Sequence, residues 1–218
     1  MHTPRNLSRT TVVTQRNLAL VVLTGSVLFG LLYVVAARLY PGGSTADLNE
    51  AGFNVFTNYW CDLLGNHAKN GQLNPGQPFA MTAMVVLCLT LAYFFYATPG
   101  LLGYAKATQR LLQAAGVLSM VVAPFIFTVY HDTVINVAGT FGVLTMLGTF
   151  TGLYRYGYVA LLRLGLVCLV LCGLNNYIYH THHFIEYLPI VQKFSFFLFL
   201  LWFNWVSLTL RRNAFIHE

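Results

Sequence analysis

Charge is what this sequence has least of. Only 8% of its 218 residues are Asp, Glu, Lys or Arg, against about 25% in a typical soluble domain. With 57% hydrophobic residues and six acids, the chain lacks the polar surface that water demands, which excludes a separate soluble domain. Cysteine is scarce too. Of Cys61, Cys88, Cys168 and Cys172 only the first lies outside an apolar run, so no disulfide framework is implied. Neither an H-E-x-x-H nor a paired C-x-x-C spacing occurs. The net charge of +6 is scattered in ones and twos beside apolar runs, not gathered in a patch, which argues against a nucleic-acid partner.

What is present is length of apolar run. Six stretches, over 17–40, 78–97, 108–130, 133–154, 158–179 and 187–210, reach the roughly 20 residues that cross a bilayer. Each is expected to be helical, because lipid offers the backbone no outside hydrogen-bond partner. The fold class is therefore all-α, a six-helix transmembrane bundle forming a single domain over 1–218. Arg5, Arg9 and Arg16 precede the first run like the n-region of a signal peptide. That run is long and carries no small-residue cleavage site, so it reads as a retained span. Pro78 and Pro189 sit at helix starts, and Pro124 predicts a kink inside the third span.

The bases orient the chain. The N-terminal arginines, Lys106 with Arg110, Arg155 with Arg163, and Arg211 with Arg212 mark cytoplasmic segments. Both termini are then cytoplasmic, and 41–77, 131–132 and 180–186 face outward. Asp47, Glu50, Asp62, Asp132 and Glu186, five of the six acids, fall in those outer segments, as do His67, His131, His180, His182 and His183, five of the seven histidines. This asymmetry directs attention to the outer face.

Within the first outer loop, Phe53, Phe56, Trp60, Leu63 and Leu64 recur at helical spacing, with Asn54, Asn58 and Asp62 on another face. The pattern predicts an amphipathic helix over 50–64 lying on the membrane or capping the bundle. Asn70-Gly71 and Asn74-Pro75-Gly76 then punctuate turns.

Near the end of the fifth span Asn176, His180 and His183 repeat at i, i+4 and i+7, and Asn175, Tyr179, His182 and Glu186 form a second ridge if the helix continues. Two readings of these residues stand side by side. His131, His180 and His183 would serve as metal ligands for a zinc-like ion, with Asp132 or Glu186 as base or orienting carboxylate, if the three segments converge. A metal-bound water there would hydrolyse a lipid. Alternatively the histidines are interfacial side chains that decorate helix ends as Tyr and Trp do. Lys193 lies about two turns inside the sixth span, where an unpaired charge costs roughly 2.5 kcal/mol or more near the bilayer centre. It needs a partner, for which Glu186, Asp132 and Asp62 are candidates, or an aqueous cavity; the alternative is snorkelling to the interface. Gly148 and Gly152 have the small-xxx-small spacing of closely packed spans.

The segment Asn58-Tyr-Trp-Cys-Asp-Leu-Leu-Gly65, followed by Asn70-Gly71, Asn74-Pro75 and Pro78-Phe79, resembles the bacterial six-span membrane proteins grouped as domain of unknown function 998, and more distantly the DRAM and Sfk families. Cys61 stands where the commoner form has Ser. The resemblance implies a six-span protein of a bacterial inner membrane with a lipid-organising or regulatory role, and no settled activity. A weaker likeness is to the seven-span ceramidase and adiponectin-receptor hydrolases. Their late H-x-x-x-H pair is missing here, where the segment reads His180-Thr-His-His-Phe-Ile-Glu186, and one span fewer is counted.

The expected function is a multi-pass membrane protein whose outer face binds a lipid headgroup or a small polar ligand. Asp62, Asn176, His182 and Lys193 are its candidate binding residues. Membrane lipids are the expected partners, with a homo-oligomer or another membrane protein as further ones. A metal-dependent lipid hydrolase is the alternative. A transporter, motivated by Lys193, comes third because the two halves show no repeat of interrupted half-helices.

Overall fold

The computed structural model describes residues 9–215 apart from Val129, and the side chains of 17–211 apart from Phe127, Val129 and His131. The arginines of the N-terminal arm and Arg212 thus lie outside the described side chains. Six helices follow one another: α1 Arg9–Leu39, α2 Gln77–Leu101, α3 Lys106–Val122, α4 His131–Arg155, α5 Val159–Thr181 and α6 Leu188–Phe215. Three short 3₁₀ stretches intervene, Trp60–Leu64, Ala123–Phe127 and Ile185–Tyr187. Among the described residues there is no β-strand, only isolated bridges pairing Gly42 with Ala51 and His67 with Leu73.

The segments long and apolar enough to cross a membrane are Asn17–Leu39, Gln77–Leu101, Lys106–Ile126, Asp132–Arg155, Val159–Thr181 and Ile185–Arg211. They coincide with the six runs read from hydropathy. Pro78 and Pro189 each occupy the second residue of a helix, where a missing N–H breaks no bond. At Pro124 the expected kink takes the form of a change in helix type. α3 stops at Val122, and the 3₁₀ stretch carries the span onward.

Packing divides the chain into two compact units, to each of which α1, α2, α5 and α6 contribute part of their length. The first comprises Met1–Ser26, Leu87–Arg163 and Leu201–Glu218. Its core is aromatic: Trp202 is fully buried, lies 6.2 Å from Phe94 and 5.7 Å from Phe150, and donates from Nε1 to the Leu161 carbonyl at 2.7 Å. Small residues bring α3 against α4. A Cβ on Gly148 would meet Leu112 Cδ2 at 2.5 Å, and one on Gly116 would meet Thr145 Oγ1 at 3.1 Å as well as Phe95 of α2. Gly148 thus packs closely against α3, whereas a Cβ on Gly152 would meet Leu102, just past the end of α2, at 2.5 Å. Thr145 Oγ1 donates to the Leu112 carbonyl at 3.2 Å and Ser119 Oγ to the Ala138 carbonyl at 2.7 Å, crossing between the two helices.

Two turns in this unit close with the same device. After α2, Tyr104 N–H reaches the Pro99 carbonyl (3.4 Å) and Gly103 N–H the Gly100 carbonyl (3.3 Å); after α4, Tyr158 N–H reaches Leu153 (2.9 Å) and Gly157 N–H reaches Tyr154 (3.0 Å). These paired bonds need a left-handed residue. Gly103 (φ +66°) and Gly157 (φ +73°) adopt that conformation without the penalty a Cβ brings.

The second unit comprises Val27–Val86 and Leu164–Leu200. It holds the long loop between α1 and α2 and the turn between α5 and α6, the two segments that carry most of the candidate chemistry.

Candidate functional site

The long loop is an ordered cap built by short polar side chains. Asp47, Asn54, Asn70 and Asn74 each accept, through Oδ1, the backbone N–H two residues ahead, at 2.8–3.1 Å. Such Asx turns replace backbone pairing and explain how a loop of this length keeps one shape. They also set the limit of the expected helix over 50–64. Asn54 and Asn58 turn their side chains onto the backbone, so the chain before Tyr59 forms turns, and helical geometry is confined to the 3₁₀ stretch Trp60–Leu64.

Asn58 is the hub of the cap. It is fully buried; its Nδ2 donates to the Gly43 carbonyl (2.8 Å) and to Asp62 Oδ2 (3.0 Å), and its Oδ1 accepts from Asn54 N–H (2.9 Å). Asp62, its side chain 5% exposed, also accepts from Tyr59 N–H at 2.9 Å and pairs with Lys69 Nζ at 3.4 Å. Asn74 ties the far side by donating to the carbonyls of Leu63 (3.1 Å) and Gly65 (3.0 Å). Glu50 accepts from Thr57 Oγ1 at 2.7 Å and from Asn54 Nδ2. Those two hydrogen bonds, the Thr57 one foremost, hold its carboxyl below the usual glutamate range. The buried Tyr40 phenol is pushed above its usual range by burial, against the opposing effect of the Lys69 N–H that it accepts at 2.9 Å.

Among the described residues Lys193 forms no ion pair with any of its candidate carboxylate partners, Glu186, Asp132 and Asp62. Its ammonium donates to the Asn58 carbonyl and to the Pro189 carbonyl (3.1 Å) and lies 5.5 Å from the centre of the Phe53 ring. Asp62, the carboxylate of the cap, is already held by Lys69, Asn58 and Tyr59 N–H. Asn58 links the two, side chain to Asp62 and carbonyl to Lys193. The charge is therefore solvated by backbone dipoles and an aromatic face, and it fastens the cap to α6.

Of the three aromatic residues on the predicted apolar face, Phe56 is exposed, at 65%. Phe53 packs edge-on to Tyr40 at 5.9 Å. Trp60 is held by Tyr33 (4.4 Å, edge-on), Phe196 (6.1 Å) and Phe29 (6.4 Å), and its backbone N–H donates to Gln192 Oε1 at 3.1 Å. Among the described residues its buried indole N–H has no acceptor and the buried Asn175 Oδ1 no donor. Each costs about 1–3 kcal/mol if left so.

The two ridges expected at the end of α5 do not continue. The helix ends at Thr181, and His182 (φ +58°) and Phe184 (φ +61°) both take the left-handed conformation, which costs a residue with a Cβ on the order of 1 kcal/mol. Asn176 and His180 remain on the helix, whereas His182, His183 and Glu186 are carried off its axis; all five are exposed. His180 lies against the Tyr179 ring at 5.2 Å. Phe184, at 67%, and Tyr187 add apolar surface to the same turn.

Asp132 belongs to the first unit, where it is exposed in the first turn of α4. His131 opens that helix, and its side chain lies outside the described residues. Among the described residues no three His, Cys, Asp or Glu side chains are grouped to hold a metal ion. What sequence reasoning missed is the role of Asn58, Asn74 and Glu50, read there as a polar face, a turn and an outer acid, as builders of the cap. Their signal was a run of short amides in a loop too long to be a plain connection.

Compared with protein-family models, curated proteins and solved structures, the chain matches none. The fold defines an all-α, six-helix, multi-pass membrane protein. Its distinguishing feature is the ordered polar cap between α1 and α2.

Proposed function

We propose that this protein is a binding or regulatory membrane protein whose α5–α6 turn recognises lipid headgroups at the face of a cell membrane, with both termini cytoplasmic. The observation that carries the reading is a contrast within the second unit. The cap's polar side chains are engaged with one another, while His180, His182, His183 and Glu186 are exposed beside Phe184 and Tyr187.

Depth supports it. α5 has 23 residues, about 34 Å at 1.5 Å per residue, against a hydrocarbon core of about 30 Å. His180 therefore falls at a bilayer edge, where imidazoles and aromatic rings meet headgroups. The two left-handed residues aim that turn, and strain of this kind persists where the surroundings enforce it. The sequence resemblance to six-span lipid-organising proteins belongs to the same proposal.

The test is lipid retention. Protein in nanodiscs of phosphatidylcholine and phosphatidylglycerol would be released and its bound lipids counted by native mass spectrometry, beside a His180→Ala/His183→Ala variant with unchanged thermal midpoint. Lipid retained by the parent and lost about tenfold by the variant supports the reading. Equal retention refutes it.

A further inference from the structure

Cations dispersed along the sequence are brought together in the first unit by the packing of α3 on α4. Ser119 meets Ala138 and Leu112 meets Thr145, so the two helices run antiparallel and the start of α3 lies beside the end of α4. Tyr104 is the joint. Its hydroxyl donates to the Gly148 carbonyl at 2.6 Å, and the Arg155 guanidinium lies over its ring, 5.5 Å from the centre. The ring holds the guanidinium through its charge, and the N–H donors of Arg155 bond to no group among the described residues. Lys106 follows Tyr104 by two residues, which keeps their Cα atoms within about 7 Å, a span that a four-carbon lysine stem covers. Lys106 and Arg155 are both exposed, and neither forms an ion pair among the described residues. Asp132 is the only acid among the described residues of this unit, and it stands twenty-three residues before Arg155 on α4, about 34 Å away. Aromatic rings mark the level of this end. Tyr154 is 70% exposed and Tyr156 stacks on Tyr158 at 6.4 Å, a concentration of tyrosine that belongs among headgroups.

We propose that Lys106 and Arg155 bind the phosphate of an anionic phospholipid. The arginine fork pairs with two phosphate oxygens, and the lysine adds a compact charge from the neighbouring helix. Arg110 and Arg163, exposed and each about one turn inside α3 and α5, strengthen the same field. A zwitterionic headgroup brings an ammonium that has no acid to meet at this end, so phosphatidylglycerol is preferred to phosphatidylcholine. This site belongs to the first unit and the headgroup surface at 180–187 to the second, and neither depends on the other.

The test is a preference between two lipids. The full chain in an uncharged detergent is titrated with phosphatidylglycerol and with phosphatidylcholine of identical acyl chains, and bound lipid is counted by native mass spectrometry. One cation beside an anionic headgroup is worth about fivefold, so the pair should favour phosphatidylglycerol about 25-fold. Lys106→Gln removes an exposed charge at the first residue of α3 and should lower the preference about fivefold. Lys106→Gln/Arg155→Gln should abolish it. Arg38→Gln, which takes an exposed arginine from the last turn of α1 in the second unit, should leave it unchanged. So should His180→Ala/His183→Ala, which separates this site from the surface at 180–187. Inorganic phosphate at the concentration of the lipid should displace none of it. Equal binding of the two lipids, a preference indifferent to Lys106→Gln, an equal loss in Arg38→Gln or in the histidine variant, or displacement by phosphate would each overturn the proposal.

Discussion

Asp62 receives hydrogen bonds from Asn58 Nδ2 and Tyr59 N–H and an ion pair from Lys69. These partners are unequal. Lys69 is 44% exposed, so water screens its charge, and Lys69→Met is expected to cost no more than about 1 kcal/mol. Asp62→Ala strands a buried amide and a backbone N–H together and is expected to cost about 3 kcal/mol. Thermal unfolding in detergent measures the difference; equal losses would place the worth of Asp62 in its charge. Glu50 supplies a pH signature. Its carboxyl is held below the ordinary value of 4.5 by Thr57 and Asn54. A lowered folded value means that the contribution is whole above 4.5 and disappears as pH falls through the folded one. Hydrogen exchange across residues 44–58 should therefore rise steeply below pH 4.5 in the parent. In Glu50→Gln it should be fast already and flat over the same window.

At the scale of elements, the six helices were legible because a bilayer imposes one requirement on every span, length with apolarity, and hydropathy reads it directly. The cap was less legible. The 50–64 segment carries apolar residues at helical spacing, and that period competes with Asn side chains that prefer their own backbone. The amides won through Asn54 and Asn58, a contest that periodicity cannot register. The α5–α6 turn was left open for a related reason: nothing in His182 or Phe184 announces a left-handed backbone, since neither is Gly or Asn. For Lys193 the sequence left an acid partner, an aqueous cavity and snorkelling open, and the carbonyls that hold it are invisible to a search for acids. Lys193→Met keeps the stem and removes the ammonium from the Asn58 and Pro189 carbonyls. It should leave the helices folded and raise exchange across 53–64 by about tenfold, the weight of a hydrogen bond from a charged group. In the other unit, Gly116→Leu drives a side chain into Phe95 and should cost about 1–3 kcal/mol in thermal unfolding.

For the whole molecule, the proposed topology of six crossings would put both chain ends on one side and the cap with the α5–α6 turn on the other. Which side is which rests on the basic residues. Lys106, Arg110, Arg155 and Arg163 flank the two short turns after α2 and α4, whereas Asp47, Glu50, Asp62 and Glu186 lie in the cap and the α5–α6 turn, opposite them along the chain's path. Arginine and lysine near short connections are retained on the cytoplasmic side, so the cap is expected to face away from the cytoplasm. Two exposed positions report this directly, Thr45 in the cap and Ala105 between α2 and α3. With Cys61 replaced by Ser, Thr45→Cys should react with a membrane-impermeant maleimide on intact cells, and Ala105→Cys only after permeabilisation. The reverse pattern would put the cap in the cytoplasm, and the exposed histidines of 180–183 would then meet the inner leaflet. Labelling at both positions on intact cells would contradict the even number of crossings itself.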